Sequence, residues 1–302
     1  MLAKTFLSTA FSAMMLVNAA PTLVEISARQ TITALNSAQI GVFRPFTHFA
    51  STAYCQPSTT LAWNCGSNCQ ANSDFIPVAS GGDGSSIQFW YVGFSPSQAS
   101  VIVAHQGTDT SKIQADATDL DAFQQSLDSS LFPGVSSSVK AHNGFSDEQA
   151  KTAPAILSAV QQAISAHGAT KVTIVGHSLG AALALLDGVY LPLHISGVSF
   201  QVIGYGMPRV GNQAFANYVD AHLSVTHINN REDLVPIVPG ESSATTIPQA
   251  RFTSWTTDSG FPAPVKTTPA RNALLAMFRT SLTVLLPTIR ALTTVSIWGA
   301  EK

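Results

Sequence analysis

Apolar and polar positions along this 302-residue chain follow two rhythms. The runs "SIQFWYVGF" (86–94), "SVIVAHQGTD" (100–109), "KVTIV" (171–175), "FQVIGYG" (200–206) and "SVTHIN" (224–229) are short, apolar and rich in β-branched or aromatic residues. They predict strands, and the near-continuous ones predict strands covered on both faces. Between them, "AHNGFSDEQAKTAPAILSAVQQAISAHG" carries Ile156, Val160 and Ile164 at helical spacing, with Gly168 placed to cap the C-terminus. "GHSLGAALALLDGVYL" opens in a glycine turn and continues as an apolar helix. Strand alternating with helix predicts an α/β fold, with a central mostly parallel sheet flanked by helices.

Two segments fall outside this rhythm. In the first twenty residues Lys4 precedes an apolar run from Phe6 to Val17, and small residues follow at Ala19 and Ala20. That layout predicts a signal peptide over residues 1–20, too short to span a membrane, and a secreted, extracellular protein. At the other end, residues 241–270 are rich in Thr, Ser and Pro, and residues 273–298 are apolar but interrupted by Arg279, Pro287 and Arg290. Two arginines and a proline argue against a membrane anchor there, so no transmembrane span is expected. A net charge of −2 without a basic run excludes nucleic-acid binding, and 45% hydrophobic content excludes general disorder. Cys55, Cys65 and Cys69 cluster in "YCQPSTTLAWNCGSNC". Secretion permits a disulfide, and an odd count leaves one thiol over. A zinc site is the rival reading of such a cluster. Neither a metal nor a cofactor is expected.

The chemistry concentrates at Gly176-His177-Ser178-Leu179-Gly180, a G-x-S-x-G between a predicted strand and a predicted helix. A sharp strand-to-helix turn exposes the serine hydroxyl of Ser178, and flanking glycines allow the close backbone approach. His177 adjoins Ser178 on the same turn, so its ring points elsewhere and a structural role is expected. Asp233 follows the strand "SVTHIN" and suits the carboxylate that orients a base, with Glu232 as its neighbouring alternative. The oxyanion hole of such enzymes uses the N–H after the serine, here Leu179, and one from an early strand-end loop, here Thr108.

The pieces "HQGTDTSK", "AHNGF", "KVTIVGHSLGAALALLDGVY", "GYGMPRVGNQAFANYV" and "THINNREDLVPIVPG" occur in this order from about Ala50 to Gly240. Together they resemble the secreted class 3 (fungal-type) lipases and feruloyl esterases of the α/β-hydrolase fold. The resemblance implies a lipase-like domain over residues 21–240. Within it, Ser178 is the nucleophile, Asp233 the orienting acid, and Thr108 and Leu179 the oxyanion residues. A lid is implied around Thr110–Phe123. It also implies a monomeric carboxylic ester hydrolase acting on lipid or other ester substrates at a lipid–water interface.

One departure stands out. Such a family needs a histidine after the aspartate, yet none occurs between Asp233 and Lys302; the last is His227. His105 is the upstream imidazole nearest the site. Shifted one base upstream, with synonymous codons, "SATTIPQARFTSWT" permits "LGYHHSPSEIHIVD", which resembles the family's histidine segment. The same frame permits "VPNIFDGTLTDHSGPYDGV" over residues 277–295 and a cysteine at position 263. Residues 241–302 therefore read as an out-of-frame, poorly ordered tail that departs from the family after Gly240, and the chain as written reads as an impaired or non-catalytic enzyme.

Overall fold

The computed structural model describes residues 34–108, 123–230, 233, 235–238, 251–255 and 265–266. The expected signal peptide, lid residues 110–122 and most of the tail lie outside these.

Eleven strands lie among the described residues: β1 (Ala34–Leu35), β2 (Ile76–Gly81), β3 (Trp90–Ser95), β4 (Ser100–His105), β5 (Gln124–Ser126), β6 (Lys140–His142), β7 (Lys171–His177), β8 (Ser199–Tyr205), β9 (Ser224–Asn230), β10 (Arg251–Trp255) and β11 (Val265–Lys266). Nine of them form one sheet in the order β1-β11-β10-β9-β8-β7-β4-β3-β2. Its centre, β4 to β10, is parallel, and the strands beyond at both ends are antiparallel. Parallel neighbours require crossovers. These are supplied by α5 (Asn143–His167) between β4 and β7, α6 (Leu179–His194) between β7 and β8, and α7 (Gln213–His222) between β8 and β9. Four short helices precede them: α1 (Ser37–Gly41), α2 (Arg44–Thr52), α3 (Pro57–Leu61) and α4 (Ser67–Ala71).

Alternation along β4 divides the core. Val101 and Val103 face α5 and α6, while Ile102 and Ala104 face α2 with Phe46, Phe49, Val175 and Ile203. Helix α6 is buried on every side from Gly180 to Leu191, as expected of an apolar helix laid across a sheet. Each fully buried leucine there contributes about 1.5–3 kcal/mol. Helix α5 ends where the sequence places its cap: Gly168 has φ 60° and its N–H donates to the Ile164 carbonyl. On the other face an aromatic cluster of Phe49, Trp63, Phe75 and Tyr91 fixes α2, and the Tyr91 hydroxyl donates to the Phe49 carbonyl at 2.7 Å.

Cys65 and Cys69 form a disulfide, and Cys55 remains a half-buried thiol whose pKa burial raises. Residues 251–255 were not foreseen as a strand, because "RFTSW" shows no alternation of apolar and polar positions. They run parallel to β9, with Phe252 opposite His227. The unpaired edge of β9 accepts any chain that returns past it, and Phe, Thr and Trp are good strand formers.

Candidate active site

Strand β7 ends at His177, and the chain turns sharply into α6 at Ser178. Ser178 holds φ 56° and ψ −126°, a conformation that costs a non-glycine residue about 1–3 kcal/mol. The surroundings over-determine it. Its N–H donates to the Tyr205 carbonyl at 2.9 Å, and its carbonyl accepts from Ala181 at 2.9 Å. The flanking glycines are forced by contact. A Cβ on Gly176 would lie 2.1 Å from the Gly180 carbonyl oxygen, and one on Gly180 would lie 2.4 Å from the His105 carbonyl oxygen. The two glycines of the G-x-S-x-G pattern are thus a packing requirement of this turn, and the serine between them is not.

Ser178 is 5% exposed. Leu179, half-buried, opens α6, where helix N–H groups have no partner within the helix. Thr108 is half-buried and follows Gly107 at the exit of β4. Gly107 lies directly on the elbow: a Cβ there would sit 2.3 Å from the His177 carbonyl oxygen. The turn carrying Thr108 and the turn carrying Leu179 are therefore in backbone contact.

Asp233 lies three residues beyond β9. Its Oδ2 packs on Gly206, 2.5 Å from where a Cβ would be, and Gly206 (φ 54°) is the residue after Tyr205. The Ser178 N–H and the Asp233 carboxylate thus address consecutive residues at the end of β8. All four candidate residues sit beyond the carboxyl ends of the parallel strands, where open α/β sheets hold their ligands. Burial raises the pKa of the Asp233 carboxyl, and the Val235 N–H donating to its Oδ1 at 2.9 Å offsets part of that. Glu232 lies outside the described residues.

The two imidazoles that the sequence sets beside the candidate site, His177 and His105, are engaged elsewhere. His177 meets the Tyr54 hydroxyl through Nδ1 at 2.9 Å, and burial pushes its pKa down to about 4. His105 shares the β4 face of Val101 and Val103, under α5 and α6. Its Nε2 meets Asp187 Oδ2 at 2.7 Å, and Gln149 donates to Asp187 Oδ1 at 2.8 Å. Tyr54 and Asp187 had no signal in the sequence: one lies in the patternless "TAYC", the other in an apolar helix.

The family Lipase (class 3) matches residues 102–243. A secreted mono- and diacylglycerol lipase of Malassezia globosa, MDL2, is 33% identical over 141 residues, 46% of each chain. A lipase of Rhizopus niveus is 30% identical over 223 residues, 70% of this chain and 53% of its own. The chain spans about half the length of the relatives it matches by sequence. Among solved structures, a triacylglycerol lipase whose catalytic centre is a serine protease triad superimposes with a TM-score of 0.68. Its identity is 26%, over 78% of this chain and 87% of that one.

Proposed function

We propose, from the premise that this chain belongs to the class 3 lipases of the α/β-hydrolase fold, that it is a secreted serine ester hydrolase of acylglycerol-type lipids, with Ser178 as nucleophile. The observation that carries this reading is the strained Ser178 at the β7–α6 turn. No packing need explains a serine there, whereas presenting a hydroxyl at the head of the sheet does. Ser178 Oγ attacks the ester carbonyl. The resulting oxyanion is held by the N–H groups of Thr108 and Leu179, the alcohol departs, and water hydrolyses the acyl-enzyme. Asp233 is the group that would orient an imidazole base and balance its charge.

The residues after Asp233 in this chain contain no histidine. The Oγ proton then passes to water or hydroxide, and the chain works only at the residual level. In serine hydrolases stripped of a triad member, that level is about 10³–10⁴ over water and comes from the oxyanion hole and binding. Support for an out-of-frame tail comes from the two histidine-bearing segments that one shifted frame permits within residues 243–256 and 277–295. The test compares three proteins on a short p-nitrophenyl ester: this chain, its Ser178→Ala variant, and the version with residues after Gly240 in the shifted frame. The expected order is a restored version far faster than this chain, and this chain faster than Ser178→Ala. Replacing the recovered histidines by alanine, one at a time, identifies the base. Equal rates for the first two chains would refute impairment, and equal rates for this chain and Ser178→Ala would refute the nucleophile.

A further inference from the structure

We propose that Tyr54 is a positioning residue that ties the Gly107–Thr108 loop to the Ser178 turn and so sets the spacing of the two oxyanion donors. This rests on the reading of Thr108 and Leu179 given above, although the tie itself is a matter of geometry. Tyr54 leaves the end of α2, where Phe49 and Ala50 are buried in the core and the Tyr54 N–H donates to the Ser51 carbonyl. The ring is therefore launched from a fixed point. Its hydroxyl meets His177 Nδ1 at 2.9 Å, with the ring centroids 6.2 Å apart. The same hydroxyl lies 2.4 Å from where a Cβ on Gly107 would be, and the His177 carbonyl oxygen lies 2.3 Å from that point. The phenol and the elbow backbone thus close on Gly107 together. Thr108 is the next residue on one strand end, and Ser178 and Leu179 are the next two on the other. A donor pair contributed by two separate turns needs such a clasp, because oxyanion stabilisation depends on placement within a few tenths of an ångström, and an error of about 1 Å costs about 10²-fold.

The role is positional and not a proton transfer. The hydroxyl is bonded to the ring of His177, and burial keeps that ring neutral until about pH 4. The imidazole therefore does not change charge over the range in which esters are assayed.

This chain suits the test, because residual catalysis in a triad lacking its base reports the oxyanion hole. Residual hydrolysis of p-nitrophenyl butyrate by the full chain is measured for wild type, Tyr54→Phe, Tyr91→Phe and Ser178→Ala. Tyr91→Phe also removes one buried hydroxyl bonded to α2, so it controls for stability. The expected result is a fall of about 10- to 100-fold in kcat for Tyr54→Phe, with KM unchanged, as for an interaction made in the transition state. The factor is expected to be the same from pH 6 to 9, and Tyr91→Phe is expected to retain the wild-type rate. A factor that varies with pH would show acid–base action and overturn positioning, as would a Tyr54→Phe rate equal to wild type. If wild type and Ser178→Ala do not differ, the hydrolase reading fails, and the tie is then judged by amide and ring spectra. In Tyr54→Phe the signals of Gly107, Thr108, Leu179 and the His177 ring should move; unchanged signals would overturn the proposal without reference to activity.

Discussion

At the residue scale, Ser178 and Asp233 both occupy states that cost stability. For Ser178 the cost is backbone strain, held by Tyr205 and by two glycines too close to their neighbours to carry a side chain. For Asp233 it is desolvation, which raises the carboxyl pKa in the folded state above its ordinary value of 3.8. A raised carboxyl destabilises the folded form once both states are ionised, and the penalty disappears as pH falls below the unfolded value. Asp233→Asn should therefore melt at a higher temperature than wild type at pH 7, and the gain should vanish at pH 3. A variant that is destabilised at pH 7 would mean that the carboxylate is held by partners that outweigh its burial.

At the element scale, two ties join the end of β4 to the elements packed against it. One is the Tyr54 contact. The other is the His105–Asp187–Gln149 network beneath α6. Asp187→Ala removes the acceptor for two buried groups, each costing about 1–3 kcal/mol when orphaned. The expected result is a clear drop in the urea midpoint at unchanged slope. A loss below about 1 kcal/mol would mean that the network relaxes onto other partners. The elements also show what was legible in the sequence. Strands β4, β7, β8 and β9, helices α5 and α6 and the Ser178 turn follow from periodicity and glycine placement. Helix α2 was missed although Phe46, Phe49 and Ala50 stand at helical spacing within its nine residues; α3 and α4 were missed because each is five residues long and carries few apolar positions. Strand β10 was missed because a partner edge decided it, not an intrinsic pattern. Ser178, Leu179, Thr108 and Asp233 are candidates that the sequence offers because their neighbours form motifs, and the structure sets them at the same edge of the sheet. Tyr54 is not among them, because its partners are 53 and 123 positions away.

At the scale of the whole molecule, one buried and one half-buried imidazole, His227 and His177, shape the response to acid. Burial pushes His177 and His227 down to about 4, from an ordinary value of 6.5. Each is neutral when folded and takes up a proton on unfolding between those values, so stability is full above about pH 6.5 and declines as pH falls toward 4. The melting temperature is expected to fall steeply across this window, and His227→Asn should flatten the decline. A melting temperature flat from pH 6.5 to 4 would show that the imidazoles are solvated in the folded state. The central claim concerns Ser178 itself. The most direct measurement is labelling of the full chain with a fluorophosphonate, followed by peptide mass spectrometry. The account predicts a single adduct on Ser178, formed slowly at neutral pH and faster as hydroxide rises, and absent in Ser178→Ala. An adduct on another residue, or no adduct at any pH at which the chain stays folded, would contradict it.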